Sequence, residues 1–148
     1  MHITKVIEFD AAHRLPSHPG LCSNLHGHRY RCEVTLEGEP GADGLVMDFG
    51  VLKNILRNVV MDSFDHATIT CEQDTQLITL LNRMRPIPRY VTLPQEPTAE
   101  VIGGVIFTML QSAIRAWANS KSDNGSALVK LQSVRLYETP TSWVDVQS

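Results

Sequence analysis

Two stretches of the chain alternate apolar and polar residues with a period of two, the mark of strands that bury one face. In residues 3–13 the odd positions Ile3, Ile7, Phe9, Ala11 and His13 share a side, with Lys5 the exception. In residues 26–37, His26, His28, Tyr30, Cys32, Val34 and Leu36 fall on one side, and Arg29, Arg31, Glu33, Thr35 and Glu37 on the other. A turn-rich run from Gly38 to Gly44 follows. From Phe49 the period changes: Val51, Leu52, Ile55, Leu56, Val59 and Val60 recur at helical spacing. That predicts a helix capped by Asp48 and ending near Met61 to Phe64. Residues 74–84 predict a short helix, broken by Pro86 and Pro88, and residues 90–93 read as a short strand. Thr98, with Glu100 in the first turn, starts a long helix carrying Val101, Ile102, Val105, Ile106, Met109, Leu110, Ala113, Ile114 and Trp117. Gly103-Gly104 weakens that helix and marks close packing. Residues 119–126 read as a polar loop and residues 128–139 as the last strand. The expected fold is an α+β domain spanning residues 1–148, an antiparallel sheet with helices on one face. The histidine-bearing face is then left for a ligand pocket or another subunit.

The first two strands carry the candidate chemistry. Side chains two apart on a strand point the same way, so His26 and His28 project together, with Gly27 between them leaving the backbone open. His13 closes the inward side of the first strand. If the two strands pair antiparallel, with residues 15–24 as their loop, His13 lies near the start of the second. Three neutral imidazoles on a pleated surface suit zinc, with a fourth position open. Cys22, four residues before His26, permits the alternative of a closed structural centre made of one cysteine and the three histidines.

Composition narrows the classes. A chain of 148 residues with 43% apolar and 20% charged content fits one globular domain. The formal charge of −3, with no basic stripe, argues against nucleic acid as a partner. No stretch reads as a membrane span of about 20 apolar residues, and residues 2–13 lack a secretory pattern. Three cysteines without framework spacing point to a reducing cytoplasm.

Six pieces in order resemble the family of 6-pyruvoyltetrahydropterin and 6-carboxytetrahydropterin synthases. They are Phe9-Asp10-Ala11-Ala12-His13-Arg14-Leu15, Cys22-x3-His26-Gly27-His28, Met47-Asp48-Phe49, Phe64-Asp65-His66, Pro97-Thr98-x-Glu100 and Val134-Arg135-Leu136-Tyr137-Glu138-Thr139. The spacing from Cys22 to His26 is similar to the bacterial 6-carboxy enzymes of queuosine biosynthesis; the 6-pyruvoyl enzymes usually place five residues there. The resemblance implies a tunnelling fold with a four-stranded sheet, closed into a barrel by three subunits and doubled to a hexamer. It implies 7,8-dihydroneopterin triphosphate as substrate, with 6-carboxy-5,6,7,8-tetrahydropterin, acetaldehyde and triphosphate as products. It further implies His13, His26 and His28 as zinc ligands, Cys22 as the catalytic thiol, and Asp65 and His66 as acid/base partners. Glu138 matches the carboxylate that grips the pterin, and Thr98 and Glu100 a segment lining its pocket from a neighbouring subunit. Without the resemblance, Asp65-His66 reads as a polar pair at a helix end and Glu138 as half of an ion pair with an arginine at an interface. Arg14, Lys5 and Arg89 are the candidate cations for the triphosphate. A triphosphate-eliminating 6-pyruvoyl synthase, a sepiapterin-cleaving activity and a non-enzymatic zinc-stabilised assembly module are the alternatives.

Overall fold

The computed structural model describes residues 1–121 and 129–148. The two alternating stretches form β1 (His2–His13) and β2 (His26–Glu37), an antiparallel pair whose register sets His13 opposite His26. Asp48 caps α1 (Phe49–Leu56) by accepting the Gly50 and Val51 N–H groups, and the helix continues through a π turn at Arg57–Met61 into α2 (Asp62–Phe64). Then come β3 (Ala67–Cys71), α3 (Thr75–Arg83) capped by Asp74, and β4 (Tyr90–Leu93). Thr98 Oγ1 accepts the Val101 N–H at the start of α4 (Ala99–Lys121), and β5 (Lys130–Thr139) and β6 (Ser142–Gln147) close the chain.

The sheet has six strands rather than four, in the order β4-β3-β1-β2-β5-β6. It is mixed, because β3 runs parallel to both β1 and β4. The two additional strands are β3 and β6. β3 is five residues long and almost wholly buried, so it shows no alternation. β6 returns from a turn at Pro140-Thr141 and does alternate: Val144 and Val146 face inward and Trp143 and Asp145 outward. The polar loop expected from Asn119 starts later, since α4 runs through Lys121; the expected start of the last strand at Leu128 lies outside the described residues.

The main core lies between the sheet and the helices. Phe9, Ala11, Tyr30, Cys32, Val34 and Leu36 pack there with Leu52, Leu56, Ile102, Ile106 and Leu110. By strand parity His13, His26 and His28 continue this same face, so they do not sit on the helix-free side as the sequence suggested. The packing face runs out at one end of the sheet, and there the histidines take over from hydrophobes. α4 is also long and apolar enough to cross a membrane by length and composition, contrary to the sequence reading. Here it is the core helix, with Ile102, Gly103, Ile106, Phe107, Leu110 and Ile114 buried. Gly103 explains part of that fit, since a Cβ there would stand 3.0 Å from Val144 Cγ2. Gly104 faces open space, so close packing belongs to one glycine of the pair.

Candidate metal centre and active site

Three imidazoles converge where β1 ends and β2 begins. One ring nitrogen from each of His13, His26 and His28 lies within 4.8 Å of the other two, a grouping that could hold a metal ion. His13 is fully buried, the other two partly so. Two of the rings are oriented by backbone carbonyls: His13 Nδ1 lies 2.7 Å from the Pro97 oxygen and His26 Nδ1 2.7 Å from the Asn24 oxygen. A carbonyl only accepts, so each Nδ1 carries the proton and each Nε2 is left with a lone pair. Those two Nε2 atoms stand 3.2 Å apart. Facing lone pairs repel unless a cation lies between them. Two imidazole nitrogens on a tetrahedral zinc would be separated by about 3.3 Å, from bonds near 2.05 Å. The third nitrogen, His28 Nε2, is buried without a hydrogen-bond partner, which suits a metal ligand and is costly for any other role.

Charge and burial agree with that reading. Burial pushes both the His13 and the His28 imidazoles below the ordinary histidine value, against the upward pull of Glu138, so both favour the neutral, ligating form. Glu138 Oε1 lies 3.6 Å from His13 Nε2 and 3.9 Å from His28 Nε2. Within the chain, then, Glu138 faces these two histidines. Beneath the cluster, buried Tyr30 stacks on Phe9 and brings its hydroxyl 3.4 Å from His13 Nδ1. Sequence reasoning missed Tyr30 and the Pro97 and Asn24 carbonyls as supports. The signal for Tyr30 was its place two residues beyond His28 on one face; backbone carbonyls leave no such signal.

Cys22 is in a 3-10 turn, Leu21–Ser23, and is partly exposed. Its carbonyl accepts the Leu15 N–H at 2.8 Å, tying it close to the end of β1. It is not among the grouped metal-ligating atoms. Thr98 and Glu100 stand at the head of α4, beside the Pro97 carbonyl that orients His13; Glu100 lines a separate groove of about 630 Å³ with Pro94, Val101 and Met109.

Asp65 and His66 are not part of the three-histidine group. They leave α2 at the start of β3, where the His66 N–H donates to the Asp10 carbonyl and the Asp10 N–H donates to Asp65 Oδ1. His66 shares a shallow depression with Asp10, Ala11, Gly27, His28 and Arg29, so His28 of the same chain borders it. The two are a pair nonetheless, with His66 Nδ1 3.0 Å from Asp65 Oδ2. Burial pulls the Asp65 carboxyl up, but the Asp10 N–H and His66 outweigh it and leave it below the ordinary range. His66 has φ of +57° and a side chain 77% exposed.

Of the cations considered for the triphosphate, Arg14 is engaged by Asp74 and Gln76, and Arg89 donates to the Asp62 carbonyl. Cys32 and Cys71 are core thiols, and burial pushes Cys32 up to about 12.

A model of the family described as 6-pyruvoyl tetrahydropterin synthase matches residues 2–148. A Haemophilus influenzae protein named 6-carboxy-5,6,7,8-tetrahydropterin synthase is 37% identical, with 98% of this chain and 97% of that one aligned. A Rickettsia bellii protein of the same name is 31% identical over 97% of each. Among solved structures, a Wolinella succinogenes protein described as uncharacterized superposes with a TM-score of 0.82 at 25% identity, covering 100% of this chain and 98% of that one. A Plasmodium vivax 6-pyruvoyltetrahydropterin synthase superposes at 0.71 and 23% identity, covering 100% and 98%, a likeness of fold.

Proposed function

The chain belongs to the 6-pyruvoyl tetrahydropterin synthase family, and on that footing we propose that it is a 6-carboxy-5,6,7,8-tetrahydropterin synthase. In this reading it is a zinc-dependent carbon–carbon lyase of one domain. It takes 7,8-dihydroneopterin triphosphate and one water to 6-carboxy-5,6,7,8-tetrahydropterin, acetaldehyde and triphosphate. The observation that carries the reading is the convergence of three histidine nitrogens, two of them facing Glu138, in a chain 37% identical along its length to a protein of that name.

His13, His26 and His28 would hold the zinc, which when bound supplies Lewis-acid stabilisation to oxygens of the substrate side chain. The rest falls to the chain's own groups. Cys22, on the loop that joins His13 to His26, would exchange a proton with the side-chain carbons. Glu138 offers two carboxylate oxygens to the N–H and NH2 edge of the pterin. Asp65 orients His66 and supports its charge, as a carboxylate does for an acid/base imidazole. Because the His66 ring is largely exposed and the pair stands outside the three-histidine group of its own chain, we assign it to the site of a neighbouring copy. Thr98 and Glu100 are assigned in the same way. A homo-hexamer of two stacked trimers, closing sheets into barrels, would supply such neighbours. We further propose a cytoplasmic enzyme of queuosine biosynthesis, with no nucleic-acid or membrane partner.

The test is incubation of the zinc-loaded protein with 7,8-dihydroneopterin triphosphate and analysis of products. The expected result is the 6-carboxy pterin with one acetaldehyde per turnover. A 6-pyruvoyl product without acetaldehyde would move the chain to the eliminating enzymes instead.

A further inference from the structure

Residues 14–25 leave β1 at His13, carry Cys22, and enter β2 at His26. Beyond the short turn at Leu21–Ser23, three bonds within the segment hold it. The Leu15 N–H donates to the Cys22 carbonyl at 2.8 Å, the His18 N–H to the Leu15 carbonyl at 3.0 Å and the Gly20 N–H to His18 Nδ1 at 3.0 Å. Two carboxylates grip it from outside. Arg14 Nε and Nη2 donate to Asp74 Oδ2 and Oδ1 at 2.7 and 2.6 Å, and Nη2 also reaches Gln76 Oε1 at 3.1 Å. Asp74 is nearly buried and also accepts the Leu77 N–H, so α3 is docked on the residue next to His13 through its own cap. Glu96 Oε1 accepts the Ser17 N–H at 3.0 Å, and the carbonyl of the next residue, Pro97, orients His13.

We propose that Asp74, through Arg14, and Glu96, through the Ser17 N–H, are positioning residues that hold the Cys22 loop against the histidine cluster. The proposal deepens the reading of Cys22 as the reacting thiol and rests on it. A paired guanidinium and carboxylate constrains direction as well as distance, and the loop's own bonds do not replace that constraint. Arg14 in this account is a strut rather than an anion ligand.

Thiol alkylation by iodoacetamide reads the loop directly, because Cys32 and Cys71 are buried and Cys22 is the accessible cysteine. Asp74→Asn keeps an acceptor for the Leu77 N–H and removes the charge partner of Arg14. The expected result is Cys22 alkylation faster by about threefold or more as the loop opens, and kcat lower by about tenfold. KM and zinc per chain should stay within about twofold. Glu96→Gln keeps an oxygen for Ser17 and should behave as wild type, whereas Glu96→Ala should move both readouts in the same direction by less. A folded Asp74→Asn protein with unchanged alkylation and unchanged kcat overturns the proposal. If Asp74→Asn does not fold, equal alkylation rates in Glu96→Ala and Glu96→Gln overturn it. Should the wild type make no 6-carboxy pterin, the alkylation contrast still decides the loop's anchoring, so the two failures are distinguishable.

Discussion

The molecule carries two histidine sites, and they are built in opposite ways. The cluster of His13, His26 and His28 is sunk into the end of the core, with two rings aimed by carbonyls and two imidazoles driven toward neutrality by burial. The Asp65-His66 pair is presented at the surface, tied to Asp10 by two hydrogen bonds and with its ring in the open. Burial fixes the geometry of the first group in advance, whereas exposure leaves the second imidazole free to meet what approaches it.

The largest effect should come from the buried site. His28→Ala removes the one ligand nitrogen that has no protein partner, and we expect zinc affinity to fall more than about a hundredfold with activity lost alongside, measured by metal analysis after dialysis. Cys22→Ala should keep one zinc per chain and lose about 10²–10⁴ in kcat; loss of zinc with the thiol would make Cys22 a ligand after all. His66→Ala should also retain zinc, with kcat down by about 10². Co-assembled Cys22→Ala and His66→Ala chains should regain activity that neither has alone, since some sites then draw an intact thiol and an intact imidazole from different copies. No recovery in proven mixed oligomers would break the division between the two regions.

The smallest effect concerns stability. Asp74 is held below the ordinary carboxylate range by the hydrogen bonds of Arg14. A carboxyl depressed in the folded state contributes stability that is fully present above its unfolded pKa of about 3.9 and lost as pH falls through the folded value. Asp74→Asn should therefore cost about 2 kcal/mol at neutral pH. The difference in Tm from wild type should close as pH is lowered toward about 3 and widen again on return.

Much of this was legible in the residues. The alternation of β1 and β2 located His13, His26 and His28 on one side, and the antiparallel register then set His13 opposite His26 as expected. Helical spacing found α1, α3 and α4, and the caps Asp48 and Thr98 marked two of their starts. β3 escaped because a five-residue strand buried on both sides has no period to read. β6 alternates but follows Pro140-Thr141, a turn without the Asn-Gly or Asp-Gly signature of a hairpin. Arg14 looked like a free cation because its partner lies 60 positions along the chain.

Local pattern, then, determined which residues could share a face: period, caps and the spacing of His26 and His28 are properties of neighbours along the chain. Which face that was, which carbonyls would aim the rings, and what would surround Asp65-His66 were decided by tertiary packing alone. Those outcomes depend on strands paired across long loops and on α4 closing over the sheet, contacts whose free energy exists only once the chain has folded.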